Sequence, residues 1–196
     1  MNYADKTAYS ELLKRYNSQT AIPYYELLLT NQWDEKRNHI LKRDGTACLN
    51  CGKTETEYIA GLGNIWLHIE EKTETAFFKD GDGFKEEEVT SEIIFHETSD
   101  KPYHLHVHHC YYVLSNLPWE YPDEALKTLC NWCHWKFHEE NKVPVYETIE
   151  KLKNLAYQPC IRCNGAGWFP EYKHVQSGEC FRCKGLKYEE LIKTVL

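Results

Sequence analysis

The sequence predicts an α+β fold, and three observations predict it. Apolar residues recur at helical spacing through the first 43 residues, as in Tyr9, Leu12, Leu13 and Tyr16, then Leu27, Leu28, Trp33, Ile40 and Leu41. Between Tyr58 and Thr98 the pattern changes to β-rich runs separated by a turn signal. Eight of the nine cysteines fall into four Cys-x-x-Cys pairs, at 48/51, 130/133, 160/163 and 180/183.

The elements follow in order. Residues 8–16 suit a short amphipathic helix. Pro23 suits the first turn of a second, running from Tyr24 to about Arg43 with room for a break near Thr30-Asn31. Asp44-Gly45 stops it and leads into the first cysteine pair. Ile65–Ile69, Thr75–Phe78 and Ser91–Phe95 read as strands, with Lys79-Asp-Gly-Asp-Gly83 as a turn, so residues 54–100 form a small antiparallel insertion. Residues 103–110 are a further strand, partnered by 126–129 across the loop Ser115–Asp123, and a helix follows from about Asn131 to Glu140. Tyr146, Ile149, Leu152 and Leu155 suggest a connecting helix over 143–158. The domain boundaries are therefore 1–47 (helices), 48–142 (core with its insertion), 143–158 (connection) and 159–196 (a cysteine-rich end).

Two thiolates two residues apart sit at one end of a tight turn, and two such turns complete a tetrahedral shell for zinc. Cys48, Cys51, Cys130 and Cys133 form one set. Cys160, Cys163, Cys180 and Cys183 form the second, with sixteen residues between its pairs, as in a compact zinc ribbon. Disulfides are the competing reading, but the cysteine count is odd and the start, Met-Asn-Tyr-Ala-Asp-Lys-Thr, lacks the apolar core of a secretory signal. A cytoplasmic location is expected, with two structural zinc ions and Cys110 as a small packed thiol. No run of 18 apolar residues is present, so no membrane partner is expected.

The net charge of −7 is local in origin. Residues 54–100 carry thirteen carboxylates against Lys72, Lys79 and Lys85, a net of −10, which leaves +3 for the rest. Lys36, Arg37, Lys42 and Arg43 supply a positive stripe on the second helix, and Lys136 adds to it from the later one.

The stretch richest in chemistry runs from Tyr103 to His138. It pairs His108 and His109 at a strand end, then places Cys130-x-x-Cys133 directly before His134-x-x-x-His138. In a helix, His134 and His138 share one face and can reach one ion. His104 and His106 read as ordinary strand histidines. Strand neighbours point to opposite faces, so His108 and His109 share a cleft only if the strand ends or bulges there.

Over roughly Trp33–Asn141 these residues resemble the HNH endonucleases, and the three-His arrangement is closest to the colicin-type enzymes. The resemblance implies a zinc-stabilised ββα-metal core, with His108, His134 and His138 as ligands of a catalytic divalent cation (Mg2+, Mn2+, Ni2+ or Zn2+) and His109 as general base. It implies hydrolysis of DNA, with RNA a lesser candidate, to 5′-phosphate and 3′-hydroxyl ends. One departure is plain: the family's middle Asn, which helps hold the loop whose carbonyl orients the base, is Ala125 here. Asp123, Asn116, or packing by Trp119 and Pro122 are the candidate substitutes. The C-terminal pairs resemble a single unit of the Cys-rich module of J-domain co-chaperones. Its Arg162, Lys173, Arg182, Lys184 and Lys187 suit nucleic-acid contact, a solvated surface or a protein-docking face. The rival readings are a non-catalytic zinc-dependent nucleic-acid-binding protein and a protein-binding zinc module. Because every core ligand lies upstream, residues 159–196 are expected to be separable.

Overall fold

A computed structural model describes residues 6–16, 22, 24–80, 83–114, 116–151, 153–169, 172, 175 and 178–195. Pro23, Gly81 and Asp82 of the hairpin turn, Ser115, Leu152 and Lys173 lie outside the described residues. The chain divides into two units, Met1–Thr54 with His104–Leu196, and Glu55–Tyr103.

The larger unit begins with α1 (Tyr9–Arg15), α2 (Tyr24–Leu27) and α3 (Asn31–Arg43). The break between α2 and α3 has a local cause. Thr30 is the N-cap of α3: its hydroxyl accepts the Trp33 N–H at 3.2 Å and donates to the Leu27 carbonyl at 2.8 Å. At the other end Asp44 takes the cap position, and its carboxylate accepts the Thr128 N–H at 2.8 Å, tying the helix to a strand.

The strands β1 (Glu57–Ile59), β2 (Gly63–Asp80) and β3 (Gly83–Thr98) belong to the smaller unit. In the larger unit β4 (Leu105–His109) pairs antiparallel with β6 (Leu126–Cys130), in an unbroken register from Leu105↔Cys130 to His109↔Leu126. The helix α4 (Asn131–Glu140) begins at once, with Cys130 as its N-cap. Trp33 and Ile40 of α3 pack with Val107, Tyr111, Val113, Tyr121, Ala125 and Leu126 as the core of this arrangement. Ala125 is 2% exposed, an apolar packing position.

The connecting helix expected over 143–158 does not form. β5 (Tyr112–Val113) pairs in parallel with β7 (Val145–Tyr146), which pairs antiparallel with β8 (Asn154–Leu155). The helix-spaced residues had no second face to bury. Ile149 is exposed, and Lys151 turns the chain with a φ of 57°, which a helix interior does not accept.

The C-terminal segment repeats one backbone motif. In Cys160–Gly165 and Cys180–Gly185, the residue after the second cysteine (Asn164, φ 49°; Lys184, φ 45°) and the glycine behind it (Gly165, φ 84°; Gly185, φ 79°) are both left-handed. Two successive left-handed residues close each knuckle, and the second is glycine because it bears no Cβ. A last helix, α5 (Glu189–Val195), follows, with Glu189 accepting from Ile161 N–H and paired with Arg182.

This segment is not the separable appendage expected from the ligand positions. Trp135 of α4 packs into its cysteine cluster and lies 5.0 Å from the Phe169 ring, and Tyr188 donates to the Val143 carbonyl at 2.9 Å. Sequence distance between the ligand sets says nothing about which apolar faces meet.

The smaller unit is a hairpin. β2 (Gly63–Asp80) pairs with β3 (Gly83–Thr98) along its whole length, and β1 (Glu57–Ile59) adds three residues at its base. The separate runs Ile65–Ile69 and Thr75–Phe78 are one strand. No helix of the described residues is long and apolar enough to cross a membrane.

Candidate metal centre

Three clusters of metal-ligating side chains form among the described residues, each with its ligand atoms within 4.8 Å of one another: the two four-cysteine sets and His108, His134 and His138.

The first thiol cluster joins the turn after α3 to the start of α4. Cys51 Sγ and Cys130 Sγ are 3.8 Å apart, and Cys133 Sγ accepts from the Asn50 amide at 3.3 Å. Burial pushes the Cys130 thiol up, whereas at Cys48 backbone N–H groups outweigh burial and hold the thiol down at about 7. In the second cluster Cys163 and Cys183 stand 3.6 Å apart. The hydrogen bond between them pushes Cys163 up and Cys183 down. Thiols packed this tightly share protons, and a divalent cation that displaces those protons suits both sets. All nine cysteines are free thiols in this structure. Burial raises Cys110 too, which keeps it a thiol.

The imidazole cluster arises from the direct junction of β6 and α4. Their pairing lays α4 against β4, so His108 meets His134 (ring centroids 4.9 Å) and His138 (5.2 Å), with Phe137 closing its edge at 4.6 Å. His134 Nε2 and His138 Nε2 are 3.2 Å apart. Both ring nitrogens of His108 are buried with no hydrogen-bond partner. An unpaired buried polar group costs roughly 1–3 kcal/mol, and a cation shared with Nε2 of His134 and of His138 would relieve one nitrogen of His108. Burial pushes His108 down to about 2 and His138 down to about 3, and holds His134 well below its usual value. All three are therefore neutral ligands at neutral pH. All-imidazole ligation suits Zn, Ni, Co or Mn better than Mg.

His109 goes elsewhere. With the register unbroken, it leaves β4 toward α3, stacking on Trp33 (5.4 Å) and Tyr112 (5.7 Å) and meeting Tyr121 edge-on at 4.6 Å. Its Nε2 lies 3.0 Å from the Pro118 carbonyl oxygen. Burial lowers its pKa to about 3. Neither Asp123 nor Asn116 orients it. The Asp123 carboxylate is paired with Lys36 (2.5 Å) and His39 (2.7 Å) instead. The loop holding Pro118 is braced by packing and by its own bonds. Trp119 meets Tyr9 at 5.1 Å, and Glu120 accepts the Leu117 N–H at 2.7 Å.

The positive stripe is largely spent inside the fold. Lys36 pairs with Asp123, Arg37 donates to the Leu105 carbonyl at 2.9 Å, and Arg43 donates to the Asp123 and Leu126 carbonyls. These side chains tie α3 to the strands. Lys42 is exposed, and Lys136 pairs with Glu140 at 3.6 Å on the open face of α4.

Two residues that sequence reasoning passed over stand at the centre. His106 Nδ1 is 3.3 Å from His134 Nδ1, the nitrogen facing away from His138. Trp168 of the ribbon lies against His106 (4.4 Å) and His134 (5.8 Å). Two-residue spacing from His108 put His106 on the same strand face, and that was the available signal. For Trp168 there was none. Comparison with family models, curated proteins and solved structures finds no match for the chain.

Proposed function

We propose that this chain is a metal-dependent endonuclease of the HNH kind, hydrolysing phosphodiester bonds of DNA to 5′-phosphate and 3′-hydroxyl ends. The observation that carries the reading is a buried cluster of three neutral imidazoles, His108 with both nitrogens unpartnered, on an antiparallel strand pair running directly into a helix. From the next position of the same strand, on its other face, a fourth imidazole is fixed by a loop carbonyl. In this reading the strands and helix are a ββα-metal unit, and the two thiol sets are its structural zinc sites.

A divalent cation held by His108, His134 and His138 would supply charge stabilisation at the phosphoryl and departing 3′ oxygens. His109 acts on the water. With Nε2–H donating to the Pro118 carbonyl, Nδ1 carries the lone pair that accepts the proton. Burial keeps that imidazole unprotonated at neutral pH, and Trp33 and Tyr112 fix its plane. His106 accepts or donates at the outer nitrogen of His134 and so orients that ligand.

One observation favours a second reading. His108, His134 and His138 are all at most 9% exposed, and Trp168 covers one side. A closed site suits a structural ion, which would make the chain a non-catalytic zinc-dependent nucleic-acid-binding protein. Plasmid cleavage with Mg2+, Mn2+, Ni2+ or Zn2+, with and without EDTA, separates the two. The nuclease reading expects metal-dependent cutting that His109→Ala lowers by at least about a hundredfold. Equal cutting by the folded variant refutes it.

A further inference from the structure

We propose that Lys187, delivered by the C-terminal ribbon, is the phosphate-binding cation of the imidazole site, so that the ribbon completes that site. The proposal rests on the nuclease reading for the identity of its substrate, a phosphodiester.

The Lys187 ammonium donates to the Tyr112 hydroxyl and lies 4.3 Å from the Tyr112 ring centroid and 4.5 Å from that of Tyr24. Tyr112 is the ring stacked on His109, so the ammonium stands one ring away from the base. Among the described residues no carboxylate pairs with it. Aromatic faces and a phenol hold a cation in place without neutralising it, which leaves its charge for an anion from outside.

The backbone shows that this placement is built. Lys187 has a φ of 70°, a conformation costly for a residue with a Cβ, and its carbonyl accepts the Cys160 N–H at 2.7 Å. The second thiol cluster thus fixes the residue from which the ammonium projects. Gly167 and Gly165 pack against this segment: a Cβ on Gly167 would lie 3.4 Å from Lys187 Cγ. A Cβ on Gly165 would lie 3.8 Å from both His138 Nδ1 and the Lys187 carbonyl. A phosphodiester carries two non-bridging oxygens. One can face the ion held by the three imidazoles while the other meets the ammonium.

The test is calorimetric binding of inorganic phosphate to the full chain, with zinc in both thiol sites and Ni2+ added for the imidazoles. Lys187→Gln is expected to weaken binding at least tenfold, Lys187→Arg to stay within about threefold, and Lys184→Gln, on the exposed side of the same knuckle, to change nothing. Hydrolysis of bis(4-nitrophenyl) phosphate, too small to reach remote contacts, should lose at least tenfold in kcat/KM in Lys187→Gln. Should the Gln variant release its ribbon zinc, Lys187→Met, which keeps the stem, replaces it in the comparison with Lys187→Arg. Wild-type phosphate affinity in a zinc-replete Gln or Met variant overturns the proposal, as does failure of the wild type to bind phosphate. Phosphate binding that depends on Lys187, in a protein that hydrolyses no diester, leaves Lys187 standing and overturns the nuclease reading instead.

Discussion

Mild acid should unfold this protein when the imidazole site holds no metal, and the size of the effect follows from four buried histidines. His108, His109, His134 and His138 are neutral in the fold because burial depresses each below its ordinary value. Unfolded, each protonates near pH 6.5. The unfolded chain therefore binds more protons, and stability is whole above about pH 6.5 and falls as the pH drops toward 3. At pH 5.5 each such histidine costs about 1.4 kcal/mol, and four cost about 6 kcal/mol. Domains of this size have roughly 5–15 kcal/mol in total, so the loss is large. Urea unfolding followed by tryptophan fluorescence, from pH 7.5 to 5.5 on protein with zinc only in the thiol sites, should show an uptake of close to four protons on unfolding at the acid end. His109→Phe should remove about one of them. A stability independent of pH over that range, or an unchanged slope in His109→Phe, refutes the argument that these imidazoles are buried and uncharged.

Other expectations follow from the same geometry. Elemental analysis should find two tightly held zinc ions per chain, and Cys48→Ser or Cys130→Ser should unfold the larger unit, because such an ion contributes folding energy directly; zinc-free, folded protein would contradict this. Trp135→Ala should destabilise by about 2–4 kcal/mol through the lost contact with Phe169 and the ribbon cluster, as read from denaturant midpoints. Removing residues 159–196 should likewise lower stability, and an unchanged midpoint would mean that this interface is not formed in solution. Replacing Glu55–Tyr103 by a short Gly-Ser linker should preserve the zinc content. The ends lie side by side, with Thr56 N–H donating to the Tyr103 carbonyl at 3.0 Å, and loss of zinc would show that the two units depend on each other.

What the sequence disclosed was what is local in the chain. The Cys130-x-x-Cys133-His134 run specifies a helix N-cap, two thiol ligands and one imidazole within five residues, so β6, α4 and their ligands were legible. The pairing partner 105–109 was legible because its histidines alternate with buried Leu105 and Val107. The segment 143–158 was not, because four apolar residues at helical spacing fit equally well beside short strands. The long hairpin read as separate runs because charge interrupts it at Glu70–Glu74, and a two-stranded ribbon has no buried face to enforce alternation. The docking of the ribbon was invisible for a different reason. Trp168 and Lys187 acquire their meaning from His106, His134 and Tyr112, residues up to 75 positions away, and no periodicity joins them.

The hairpin β2/β3 has a consequence for how copies of this chain behave together. Beyond the three residues of β1, its long outer edges carry no further strand among the described residues. Such edges are ready templates for strand addition, and Ile69 and Ile94, paired across the seam between the two strands, both have exposed side chains. The glutamates set along both strands, among them Glu70, Glu71, Glu74, Glu86, Glu87, Glu88 and Glu92, place like charges wherever a second hairpin would align. They act as gatekeepers against stacking of one hairpin on another. That protection belongs to ionised carboxylates, so it weakens with acid, which neutralises them, and with concentrated salt, which screens them.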